Sequence, residues 1–165
     1  MVGSSEESEN GQLKFPQGVC CAVDGAVVVA ESDNYRIQIF NASGQLLSIF
    51  GGDGKGNEPN QFSHPWALAY LHPRFSPSSS SASSSSSSLL IADCWNKRLS
   101  IWSDSSDHMH LQPVSQIGVA GKARGVCVDL NGLVYVSCGY GAHVVEVREP
   151  RVGFRLLQTL GRSDG

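Results

Sequence analysis

The chain repeats itself, and that constrains its fold more than any other feature. The stretch AESDNYRIQIF from Ala30 to Phe40 returns in altered form as IADCWNKRLSIW from Ile91 to Trp102. Upstream of it, FPQGVCCAVDGAVVVA from Phe15 matches HPWALAY from His64 and KARGVCVDLNGLVYVS from Lys122, which makes three copies. Internal repetition means that each unit cannot bury its apolar face alone and must stack on its neighbours. Each copy reads as four short apolar stretches separated by turns, hence four strands. Asp24-Gly25 and Asn131-Gly132 have the composition of two-residue hairpins between the first strand and the second. Ile37 and Ile39, and again Leu99 and Ile101, alternate as a third strand should, and each fourth strand stops at a glycine, Gly51, Gly118 or Gly161.

Spacing locates an insertion. Gly18 to Ala30 and Gly125 to Ser137 are each 12 positions, whereas the equivalent Ala67 to Ala92 is 25, so the second copy carries 13 extra residues in its first hairpin loop. There the chain reads RFSPSSSSASSSSSS, over about residues 74–88, a polyserine tract that cannot bury apolar surface to offset the entropy of ordering and is expected to be disordered. The expected organisation is an N-terminal linker at 1–14, units at 15–58, 59–118 and 119–161, and a tail at 162–165. Antiparallel four-stranded units of this length stack as the blades of a propeller, with both sheet faces covered, which accounts for the unbroken runs VVVA and LLIA. The fold class is therefore all-β: a partial propeller of about three blades, not closed as a monomer.

Composition narrows the chemistry. At 165 residues and 41% hydrophobic content the chain is long enough for one ordinary core, and apolar runs such as Ala26–Ala30 fall far short of the roughly 20 residues a membrane helix needs. The start MVGSSEESEN lacks the basic and apolar parts of a secretory signal, so a cytoplasmic, reducing setting is expected. The five cysteines are odd in number and none is spaced CxxC, which points to plain buried thiols and not to zinc or disulfides. A net charge of −3 with interspersed signs offers no broad cationic field for nucleic acid. GGDGKGN at Gly51 lacks the Ser/Thr and the helix of a phosphate loop, no GxSxG elbow occurs, and His108 and His110 in DHMH read as a solvated turn. No catalytic residue, metal or cofactor is assigned.

At the residue level the copies resemble the NHL repeat. Pro16, Gly18, Asp24-Gly25, Ala30-Glu31, Asn34, Arg36 and IQIF carry the resemblance in the first copy, and Pro65, Ala92-Asp93, Asn96, Arg98 and LSIW in the second. The third copy keeps Gly125, Asn131-Gly132 and VYVS but places Cys138 where the acidic residue belongs, with GYGAHVVEV after it. The polar corner formed by Glu31, Asn34 and Arg36, and by Asp93, Asn96 and Arg98, reads as architecture: carboxylate and amide bond exposed backbone while the guanidinium reaches a carboxylate of its own or a neighbouring blade.

The resemblance implies a ring of about six blades, so further blades or self-association with a second copy are expected to complete it, and the chain reads as a fragment of a longer protein. It also implies a loop-lined binding face shared by the linkers and the corners between strands two and three. Tyr35, Trp66, Trp95, Lys97 and Tyr140 fall there, aromatics beside a cation as in contact hot spots. The function implied is protein binding, as in the tripartite-motif ubiquitin ligases. RNA recognition using Arg36, Lys55, Lys97, Arg98 and Arg124 is the alternative, and a propeller hydrolase or lyase the less favoured one.

Overall fold

The computed structural model describes residues 9–75, 87–105 and 107–161. They form three four-stranded antiparallel sheets, each built in chain order. The first contains β1 (Pro16–Cys21), β2 (Val27–Glu31), β3 (Arg36–Phe40) and β4 (Leu46–Gly51). The second contains β5 (Pro65–Leu71), β6 (Ser87–Asp93), β7 (Arg98–Asp104) and β8 (Gln112–Gly118). The third contains β9 (Lys122–Val128), β10 (Val134–Gly139), β11 (Val144–Glu149) and β12 (Arg155–Leu160). The repeat Ala30–Phe40 and its echo therefore occupy the same place in two different sheets.

The sheets stack through their faces. Val28, Ala30, Ile37 and Ile39 of the first share a core with Leu89, Ile91 and Trp102 of the second. The opposite face of the second, Leu90, Ala92, Leu99 and Ile101, packs on Val134, Val136 and Val144 of the third. Burial on both faces is why β2 carries the unbroken run VVVA and β6 the run LLIA, whereas β10 alternates buried and half-buried positions. The first strands run side by side, β5 touching both β1 and β9. Gly18 permits this: a Cβ there would stand 2.8 Å from the Trp66 carbonyl oxygen and 2.9 Å from the Ala67 Cα. Trp102 fills the gap between the first two blades, its ring 6.0 Å from Phe50 and 5.6 Å from Phe62.

Two expectations need correction. The first hairpins are three-residue loops: Ala22 pairs with Ala26 and Asp129 with Leu133 around them, and only Gly25 and Gly132 take positive φ. The Asp24 and Asp129 carboxylates accept backbone N–H groups two residues on, which favours the wider turn over a two-residue one. Second, regular structure extends into both edges of the expected insertion at about 74–88. Ser87 and Ser88 belong to β6, and Pro73–Phe75 form a 3₁₀ turn whose buried Phe75 ring lies where a Cβ on Gly132 would stand. Residues 76–86 lie outside the described residues. No helix among the described residues is long and apolar enough to cross a membrane.

On the side of the first hairpins, His108 is no solvated turn. Its ring is buried, with Nδ1 2.6 Å from Asp104 of its own blade and Nε2 3.0 Å from Asp24 of the preceding one. The Tyr70 hydroxyl donates to the same Asp104 oxygen at 2.7 Å, and the His108 carbonyl accepts from Ser48 Oγ. Two carboxylates facing two ring nitrogens favour the imidazolium: burial opposes the charge, but Asp24 and Asp104 outweigh it and hold the pKa above the ordinary 6.5. A raised folded-state pKa gives stability that is full below pH 6.5 and is lost as pH rises through the folded value. The urea midpoint of the wild-type chain is therefore expected to fall as pH rises above 6.5, and that of His108→Asn to lack this decline, in paired titrations.

Candidate functional site: an aromatic and cationic face

The corners come first, because they hold the loops that carry the face. In the first blade both oxygens of the buried Glu31 are occupied. Oε2 accepts from Arg36 Nε and Gln38 Nε2, each at 2.6 Å, and Oε1 from Asn34 Nδ2 and the Lys14 N–H, each at 2.7 Å. Arg36 then donates to the Gln12 carbonyl at 3.2 Å. In the second blade Asp93 accepts from Arg98, Asn96 and the Ser63 N–H, all at 2.8 Å. Arg98 donates onward to the carbonyls of Asn57 and Gln61, each at 2.6 Å, and Asn96 to that of Gly56 at 2.8 Å. The backbone so bonded is the linker leading into the blade's own first strand.

The third blade does the same with different residues. Cys138 stands in the acid's place, but Glu146 and Arg148 on β11 pair at 2.6 Å on the same sheet face. Glu146 accepts the Ala120 N–H at 2.7 Å, and Arg148 donates to the Gly118 carbonyl at 3.0 Å. The clamp has moved along the neighbouring strand. Its sequence signal was the alternation in VEVRE, charged residues where the third strand's buried positions fall.

Above the clamps runs a continuous row of rings and cations. The Tyr35 ring lies edge-on to His64 at 5.1 Å, and His64 lies 5.0 Å from Trp95. Lys122 Nζ sits 3.4 Å from the Trp95 ring centre and 4.9 Å from that of Tyr140, with Lys55 Nζ 5.2 Å from Trp95. Arg124 completes the row, its Cζ 4.3 Å from the Tyr140 ring centre and 4.0 Å from that of Trp66. Trp66 is fixed in turn by Nε1–H donating to Ser32 Oγ at 3.1 Å. Burial first, and then Lys55, hold His64 below its ordinary pKa, so it stacks as a neutral ring.

The row follows the repeat. His64 and Lys122 occupy one repeat position, two residues before Trp66 and Arg124, which occupy another; Trp95 and Tyr140 share a third. The leading residue of the second and third blades thus sits between the corner of its own blade and that of the blade before. Cation–ring contacts of this kind stabilise by about 0.5–2 kcal/mol each, more when shielded from water.

Of the five residues read as a contact face, Tyr35, Trp66, Trp95 and Tyr140 meet in this row, and Lys97 does not. Lys97 is exposed and holds a left-handed backbone turn at φ 51°, its carbonyl accepting the Val119 N–H at 3.0 Å. The cations on the rings are Lys55, Lys122 and Arg124. Lys122 escaped notice because it aligns with a histidine, so no shared residue type marks the position. Tyr35 and Tyr140, at φ 52° and 48°, also adopt the left-handed conformation that bulky residues avoid. Strain of that kind persists only where surrounding bonds over-determine the loop, as the clamps do here. Trp95 and Tyr140 remain 49% and 63% exposed, so the row is open to a partner. Among the described residues no group of three or more His, Cys, Asp or Glu side chains could hold a metal.

Known proteins agree with this architecture. The NHL-repeat family model matches residues 13–40. RING finger protein nhl-1 of Caenorhabditis elegans is 35% identical over 49 residues, 30% of this chain and 5% of that protein. Among solved structures, U3-55K superposes with a TM-score of 0.60 at 17% identity, over 94% of this chain and 42% of that one. The nidogen/laminin complex matches with a TM-score of 0.59 at 15% identity, over 89% and 49%. Virginiamycin B lyase from Staphylococcus aureus gives 0.56 at 13%, over 86% and 40%. The chain spans less than half of each of these structures. Residues 13–40 thus match the NHL repeat, and the three sheets are blades of a partial, unclosed β-propeller.

The clamps are directly testable. Removing one partner of a buried pair leaves the other charge uncompensated, so Arg98→Met is expected to cost about 3–5 kcal/mol in urea denaturation. Burial works against the Glu31 carboxylate, but Arg36, Lys14 N–H, Gln38 and Asn34 outweigh it and hold its pKa below the ordinary 4.5. Its contribution is thus full above pH 4.5 and lost as pH falls through the lower folded value; Glu31→Gln should blunt the loss of stability over that acid range.

Proposed function

We propose that this propeller segment is a protein-binding module whose contact surface is the row Trp66, Trp95, Tyr140, Lys122 and Arg124. The observation that carries this reading is the half-exposed pair Trp95 and Tyr140, held rigid by cations and strained loops on three clamped linkers. Large rings that are already ordered lose little entropy on binding, and Trp, Tyr and Arg dominate the energetics of protein contacts. The NHL repeat supports an interaction role, and the match to a RING finger protein supports a finer one: selecting what a larger ubiquitin ligase acts on. The setting is read as intracellular.

One observation favours RNA as a second reading. Lys55, Lys122 and Arg124 concentrate positive charge beside stackable rings on a chain whose net charge is −3. Single strands are held by just such rings and cations. The likeness to a lyase lies in the fold alone and suggests no reaction.

The test uses the chain and its Trp95→Ala/Tyr140→Ala variant as baits for quantitative mass spectrometry, with affinity then measured across salt for each retained partner. The expected result is protein partners retained by wild type and weakened about tenfold or more by the double variant, which melts lower for want of its ring–cation contacts but keeps the native strand spectrum, with a shallow salt dependence. Partners retained equally by both baits would refute the assignment of this face. A steep salt slope for an RNA would transfer it to the second reading.

A further inference from the structure

Arg124, a half-buried residue, differs from the buried arginines. Arg36, Arg98 and Arg148 each pair with a carboxylate at 2.6–2.8 Å, whereas Arg124 has no ion-pair partner among the described residues. Its guanidinium instead carries two aromatic rings, Trp66 at 4.0 Å and Tyr140 at 4.3 Å. Its Nε is buried with no hydrogen-bond partner. A charged donor shielded from water and left unpaired is costly, and rings stacked on a guanidinium leave its in-plane N–H edge as the remaining bonding surface.

Space for an acceptor exists beside it. A groove of about 350 Å³ is lined by Arg124, Ser137, Gly139, His143 and Leu160. Gly139 lines it next to the guanidinium, where even a Cβ would make only ordinary contact with Arg124, at 3.5 Å from Cδ and 3.8 Å from Nε. The groove combines one unpaired planar cation with apolar walls, which suits an acidic group on a peptide.

We infer that Arg124 is the anchor for a carboxylate of the partner's chain, received in this groove while Trp95 and Tyr140 make the surrounding contacts. This rests on the protein-binding reading above and adds to it the partner's chemistry. A planar carboxylate meets the guanidinium edge through paired hydrogen bonds. A phosphate backbone would call for a track of free cations, whereas Lys55 and Lys122 are both drawn onto the Trp95 ring and exposed Asp33 lies on the neighbouring corner. The carboxylate belongs either to a Glu or Asp side chain or to a C-terminus.

The experiment selects binders to the full chain from a displayed library of random peptides about a dozen residues long. Each binder is resynthesised with its acids changed to amides, and separately with its C-terminus amidated. Affinities are measured by fluorescence anisotropy against wild type, Arg124→Gln and Trp95→Ala, with an oligouridylate of equal length alongside. On wild type, which needs no variant to fold, removing either the acidic side chain or the free C-terminus is expected to weaken binding about tenfold, and which of the two does so identifies the source. On Arg124→Gln the same neutralisation should cost almost nothing, because the pair is already broken. An equal cost on both proteins, or less than about a threefold cost on wild type, overturns the anchor. So does oligouridylate binding that depends on Arg124 when no peptide is selected. Peptides weakened by Trp95→Ala but indifferent to neutralisation would sink the anchor and leave the binding face standing; peptides indifferent to Trp95→Ala would sink both.

Discussion

The buried acid–arginine clamp is the interaction on which the rest of this structure depends. A linker between two blades has no ladder to join, so its backbone groups need partners from elsewhere. Glu31 with Arg36, Asp93 with Arg98, and Glu146 with Arg148 supply both kinds, the carboxylate taking a linker N–H and the guanidinium giving to linker carbonyls or, for Arg148, to that of Gly118 at the end of β8. A hydrophobic pair in the same position could fill the volume but would leave those amides and carbonyls unsatisfied. Buried ion pairs often contribute little net stability, and what they contribute here is definition: one position for each linker and one for the corner beside it.

From that definition the row of rings and cations follows. Each linker ends in the residue that slots between two corners, His64 between Tyr35 and Trp95, Lys122 between Trp95 and Tyr140. If the linkers were loose, those side chains would have no fixed rings to meet. The left-handed backbone at Tyr35, Lys97 and Tyr140 fits the same picture, since short corners between clamped strands leave no milder path. The face is thus a product of repetition: the same positions, filled differently in each blade, yield a row in which ring and cation adjoin.

The sheets were legible in the sequence because their signals are periodic and shared among copies. The echo of Ala30–Phe40, the glycines closing the fourth strands and the constant spacing each express a backbone requirement. What escaped was chemistry that moved between copies. Glu146 and Arg148 do the work of Glu31 and Arg36 from a neighbouring strand, and alignment by position finds only Cys138 there. Lys122 replaces a histidine, and Lys97, a cation at the right corner, turned out to serve through its backbone. His108 looked solvated because its partners, Asp24 and Asp104, lie 84 residues and four residues away, and only stacking of the blades unites them.

The clamps make the linkers as ordered as the strands they join, and amide hydrogen exchange reads that property directly. The N–H groups of Lys14, Ser63 and Ala120 each donate to a buried carboxylate from within an irregular segment. They should exchange with protection comparable to that of amides paired in β6 and β7. Exchange at the rate of exposed loop amides, with β6 and β7 protected, would show linkers that are not held, and the origin of the face would then have to be sought elsewhere.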